Sequence, residues 1–202
     1  MGAWTSGGHT PHYQKVMGFI DGSNFLIELG KELDVVLRAD KPNIHALEMA
    51  QLLTNRFFHQ SGNIVIRKYW FASYQGSEAD YKPYAKKLRE LGFEPVLFKK
   101  NDGKEKGVDI ALATEMLVNA FNQNYDLGII IAGDKDYMGL IKEAKRYGPI
   151  ITGAFFEHGL SDDLALALDK YDNIMDKVNF NKEPWKPLID EIINSLPKNK
   201  KL

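Results

Sequence analysis

The feature that most constrains the fold of this chain is an alternation. Apolar runs of strand length (KVMGFID, NIVIRKYWFASY, FEPVLFKK, LGIIIAG and PIITGAFF) are separated by stretches of helical periodicity. That pattern belongs to βαβ units, which bury a parallel sheet between two helical layers. Helices are predicted around Phe25 to Leu29, from Asn43 to Phe58, and over EADYKPYAKKLREL, VDIALATEMLVNAF and KDYMGLIKEAKRYG, with Gly92 and Gly148 as C-terminal stops. Pro149, at the start of the last strand run, predicts an edge strand, because proline brings no N–H to a ladder. SDDLALALDKY and WKPLIDEIINSL read as closing helices. The expected architecture is α/β, a Rossmann-like three-layer sandwich around a mainly parallel sheet of about five strands.

At 202 residues the chain has the length of one domain. Residues 1–15 read as a leader, 16–178 as the domain, and 179–202 as an amphipathic helix with a tail. Leu188, Ile189, Ile192, Ile193 and Leu196 share one face of that helix, so it is expected to dock on the domain or to form a homodimer or protein-partner contact. No apolar run approaches the roughly 18 residues of a membrane span, and the first residues lack the pattern of a signal peptide. Cysteine is absent, which excludes disulfides and thiolate metal sites and makes the cytoplasm the expected location. The five histidines show no HxxxH spacing, so zinc is not expected. A net charge of −1 argues against indiscriminate coating of nucleic acid but leaves a local patch open.

In a parallel sheet the residues just past the strand ends gather along one edge, and ligands bind where the strand order reverses. Asp21 ends the first strand run, Asp134 and Asp136 follow the fourth, and Asp109 opens the helix after the third. If the first and fourth strands are neighbours, these carboxylates meet in one crevice, where like charges need protons or cations to coexist. Oxygen-only ligation selects Mg²⁺ or Mn²⁺, and a hard ion with open water positions suits a phosphate-bearing substrate. Each aspartate also has a structural reading: Asp109, Asp134 and Asp136 lie where helix starts favour an acid, and Asp21 precedes Gly22 as a turn residue would. Glu115 is rotated around its helix from Asp109, which points to a supporting or solvent role.

The motifs IDGSNF, KGVDIALATEM and IAGDKDYMGLI, in that order and spacing, resemble those of the LabA-like NYN domains, PIN-like proteins with a Rossmann-like fold. The likeness runs from about Val16 to Tyr171 and includes Ser161, Leu164, Asp169 and Tyr171. The resemblance implies a metal-dependent ribonuclease that uses Mg²⁺ or Mn²⁺ to activate water for phosphodiester cleavage. It implies Asp21, Asp109, Asp134 and Asp136 as the acidic cluster and metal ligands, with Asn24 bonding to Asp21 or to the scissile phosphate; a helix cap is the structural alternative for Asn24. The chain departs from the family pattern at Ala132, Lys135 and Tyr137, where Ser, Ser and Phe are usual. Lys135 is placed to contact phosphate, to pair with a neighbouring carboxylate, or to point to solvent.

RNA, in single-stranded form, is the expected partner. Lys82, Lys86, Lys87, Arg89, Lys99, Lys100, Lys104 and Lys106 outnumber the acids among them; Lys99, Lys100, Lys104, Lys106, Lys135 and Ser23 are the candidate contacts. Tyr69, Trp70, Tyr74 and Tyr81 are candidates for stacking on unpaired bases, with core packing as the alternative. Two rival functions stand beside the nuclease. One is an RNA-binding or regulatory protein with little catalysis. The other is a haloacid-dehalogenase-like phosphatase, which needs a second aspartate where this chain has Ser23.

Overall fold

A computed structural model describes residues 13–100 and 107–196. Six strands, β1 (Gln14–Asp21), β2 (Asn63–Tyr74), β3 (Glu94–Lys99), β4 (Leu127–Ile131), β5 (Ile150–Phe155) and β6 (Lys170–Asn173), form one sheet of order β3-β2-β1-β4-β5-β6. Every neighbouring pair is parallel. The order reverses between β1 and β4, so the adjacency on which the shared crevice depends is present.

Alternation along the strands divides the interior into two cores. Ile20 and Trp70 face one side with Phe25, Phe58 and Phe156, under α1 (Gly22–Glu32), α2 (Ile44–Phe58), α3 (Glu78–Glu90) and α7 (Trp185–Ser195). Phe19 and Phe71 face the other with Ile130 and Ile141, under α4 (Val108–Phe121), α5 (Met138–Lys145) and α6 (Asp162–Ala167). This is a three-layer α/β sandwich with seven α-helices among the described residues. Local signals support the boundaries. Asn43 caps α2 by accepting from the N–H groups of His45 and Ala46, and Ser77 forms a capping box with Asp80 at α3.

The sheet has one strand more than expected, and β5 is not its edge. SDDLALALDKY divides: α6 ends at Ala167, and the chain returns as β6 alongside β5. Pro149 is compatible with an interior β5 because it precedes the ladder, whose first N–H at this end is that of Ile150, donated to Asp126 O. The polar KYDN of β6 suits an edge strand. The closing helix α7 packs on α2 of its own chain, with Ile192 fully buried, Asn43 Nδ2 donating to Ser195 Oγ at 2.6 Å and His45 2.9 Å from Glu191. Its apolar face therefore belongs to the domain core. Among the described residues no helix is long and apolar enough to cross a membrane.

Candidate active site

Asp21 sits at the C-terminal end of β1 and also caps α1. Its Oδ1 accepts the Asn24 N–H at 2.9 Å, while its Oδ2 lies 3.0 Å from the hydroxyl of Tyr137. The same hydroxyl is 2.9 Å from Asp109 Oδ1, in the first turn of α4. Three segments far apart in sequence thus converge beside the β1–β4 switch point. Burial, reinforced by the two carboxylates, pushes the Tyr137 hydroxyl far above the ordinary tyrosine value and keeps it protonated. One hydroxyl carries one proton and can donate to one carboxylate at a time.

Asp134 and Asp136 behave differently. Asp134 caps a 3₁₀ turn over Lys135–Tyr137, its Oδ1 accepting the Asp136 N–H at 3.0 Å. That turn sends Tyr137 inward and leaves Asp134, Lys135 and Asp136 exposed. Among the described residues no three acidic or histidine side chains lie close enough to share an ion. Tyr137 therefore joins Asp21 and Asp109, no third carboxylate among the described residues shares an ion site with them, and one oxygen of Asp134 is engaged by its own turn.

Two glycines beside these aspartates are required by packing. A Cβ on Gly22 would lie 2.2 Å from the Trp70 indole, and one on Gly133 would lie 1.9 Å from Gly159 O. Asn24 ties the two strand ends together: its side-chain Oδ1 accepts the Gly133 N–H at 3.2 Å, while its backbone N–H serves the Asp21 cap. The side chain thus positions the start of the Asp134 turn rather than bonding to Asp21.

Ser23 is buried, its hydroxyl accepting the Ser73 N–H at 3.3 Å, so it faces the protein rather than a phosphate. Lys135 and Lys99 are exposed, and Lys100 lies 3.6 Å from Asp40; Lys104 and Lys106 fall outside the described residues. The basic residues of α3 are largely paired, Lys82 with Glu78, Lys87 with Glu48 and Arg89 with Glu94. Tyr69 and Trp70 belong to the cores, whereas Tyr74 and Tyr81 are partly open. Glu115 accepts from Asn119 within its own helix.

The later motif residues hold the scaffold. The Ser161 N–H donates to Gly133 O, Leu164 is fully buried, Asp169 accepts the Ile151 N–H at 2.8 Å, and the Tyr171 hydroxyl donates to Phe155 O. Tyr137 is the site residue that sequence reasoning did not assign. Its only signal was its place one helical turn after Asp134, where the resembling family has Phe.

The sequence matches the NYN domain family over residues 15–174. No curated protein matches it. Among solved structures, a protein of unknown function from Vibrio parahaemolyticus is similar, with a TM-score of 0.62 and 18% identity over 83% of this chain and 97% of the other. At that identity the likeness is one of fold.

Proposed function

Because the chain belongs to the NYN domain family, generally one of nucleases, we propose that it is a metal-dependent ribonuclease that hydrolyses phosphodiester bonds of single-stranded RNA. The ordered motifs around Asp21, Asp109 and Asp134 support a place in its LabA-like branch. The observation that carries the reading is the convergence of Asp21 and Asp109 on one buried hydroxyl at the sheet's switch point.

The donor set suits Mg²⁺ or Mn²⁺. It is all oxygen, and Mg²⁺ characteristically takes one or two carboxylates and keeps several waters. Asp21 and Asp109 would hold the ion directly, and the exposed Asp134 and Asp136 would hold its outer waters. Bound there, such an ion supplies an acidic water and neutralises charge on the leaving oxygen. The chain's own residues supply position. The Asn24 N–H and the Tyr137 hydroxyl fix the Asp21 carboxylate, the Asn24 side chain fixes the β4 end, and Lys135 stands exposed where a phosphate would enter.

The test is cleavage of labelled single-stranded RNA with Mg²⁺, with Mn²⁺ and with chelator. Metal-dependent cleavage should fall about a hundredfold in Asp21→Asn and in Asp109→Asn. One observation favours a second reading, RNA binding without turnover: among the described residues no third carboxylate shares an ion site with the joined pair. Protein that binds RNA and leaves it intact with both metals would decide for that reading.

A further inference from the structure

A cleft of about 260 Å³ opens at the same C-terminal edge of the sheet, beyond the end of β2. Its apolar walls are Pro42, Ile44 and Leu47, from the approach to α2 and its first turns, with Tyr74 from β2 and Pro83 and Tyr84 from α3. The floor is rigid: Leu47 is 1% exposed, and the Tyr84 hydroxyl accepts the Trp70 indole N–H at 3.0 Å. Tyr74 packs against Tyr81 with ring centroids 5.3 Å apart and remains partly open. Gln75 stands at the mouth. Arg38 engages its carboxamide oxygen at 2.6 Å, which leaves the NH₂ group as the part offered to a ligand.

Two carboxylates line the cleft, Asp80, which is engaged by Ser77 at the start of α3, and Asp40, which serves both Arg38, at 3.0 Å, and Lys100, at 3.6 Å; Arg38, Lys41, Lys99 and Lys100 outnumber them around the rim. Lys41 and Lys99 are exposed beside them, Lys41 lining the cleft and Lys99 paired in register with Tyr74. The cleft shares the C-terminal edge of the sheet with the candidate active site, lying on the α2 and α3 side while Asp109 and Tyr137 lie on the α4 side. Asp21 pairs in register with Phe71, and Tyr74 lies three residues further along the same strand, roughly 10 Å at the rise of a β-strand.

We propose that this cleft docks an unpaired nucleobase of an RNA strand whose phosphates run along Arg38, Lys41, Lys99 and Lys100 toward Asp21. The inference rests on the RNA reading above and deepens it. A ring enters between proline and tyrosine walls only when it is not stacked in a duplex, so the cleft selects single strands. The partial pairing of Arg38 and Lys100 keeps the rim ordered while its net charge stays positive.

The test is fluorescence anisotropy of labelled single-stranded RNA and of a blunt RNA duplex with the full chain in EDTA, where metal-dependent cutting is suppressed. Tyr74→Leu removes the ring face, and Ile44→Glu places a charge in the cleft at a residue that is 55% exposed, so its folding is spared. Both should weaken single-strand binding about tenfold and change duplex binding less than twofold. Unchanged single-strand affinity in both variants, or equal loss for single strand and duplex, overturns the assignment, as does wild-type protein that binds no RNA. RNA bound through the cleft but never cut with Mg²⁺ or Mn²⁺ leaves the cleft in place and removes the nuclease reading. RNA cut by wild type, with the variants binding as wild type, does the reverse.

Discussion

Tyr137 meets Asp21 across 116 positions of sequence, hydroxyl to carboxylate at 3.0 Å, in a buried position. The same oxygen reaches Asp109, so one phenol stands between the two carboxylates that the proposed function needs. Replacing it by phenylalanine removes a donor to charged acceptors. Without divalent metal, Tyr137→Phe should be less stable by about 2 kcal/mol. With Mn²⁺ the ranking should narrow, because the ion no longer competes with the hydroxyl. Thermal melts across a Mn²⁺ titration check this, and parallel shifts in wild type and variant would count against a shared position.

Asn24→Ala separates positioning from capping. The cap of α1 uses the Asn24 backbone N–H and survives, whereas the side-chain bond to Gly133 N is lost. The expected cost is about 1 kcal/mol in urea unfolding. RNA cleavage should fall more than tenfold with little change in KM, since the β4 end is then free to drift relative to Asp21. A change confined to KM would assign Asn24 to substrate binding instead.

Gly133→Ala and Gly139→Ala form a contrasting pair. At Gly133 a methyl group collides with the Gly159 carbonyl and the Phe155 ring, and about 3 kcal/mol of stability should be lost. At Gly139, within α5, nothing lies within 4 Å, so alanine should add up to about 1 kcal/mol through helix propensity. Chemical denaturation of the two proteins gives the comparison directly.

Asp169 predicts a pH dependence. Burial alone would raise its pKa, but the Lys145 ammonium at 2.7 Å and the Ile151 N–H outweigh burial and hold it below the ordinary 3.8. A carboxyl with a depressed folded pKa binds fewer protons folded than unfolded between the two values. Its stabilisation is therefore complete above the unfolded value and is lost as pH falls through the folded one. Asp169→Asn keeps an acceptor for the Ile151 N–H and loses the ion pair, so it should cost about 0.5 kcal/mol at pH 7, a small loss because the pair is partly open to water. In strong acid the two proteins should unfold alike.

The alternation of strand and helix periods made the layered sheet and the β1–β4 adjacency legible, since Ile129, Ile130 and Ile131 can only be so apolar inside. The sixth strand was not legible, because KYDN carries no apolar signal and forms through pairing with β5. The aspartates were readable as strand-end residues, and the nearness of Asp21 to Asp109 followed from topology. The cap bond that engages Asp134 lies within one turn, and the reach of Tyr137 depends on how α4 packs on the sheet. Neither leaves a mark in residue spacing.

The double duty of Asp21 bears on how relatives of this protein should be read. Because its carboxylate starts α1 as well as facing Tyr137, a lineage that abandoned chemistry would still be selected to keep an acid or amide there for folding. Asp109 contributes less to folding: it lies in the first turn of α4, where an acid suits the helix dipole, but the cap position itself is Gly107. Loss of the acid at Asp109, with retention at Asp21, is the substitution that would record the passage from enzyme to scaffold.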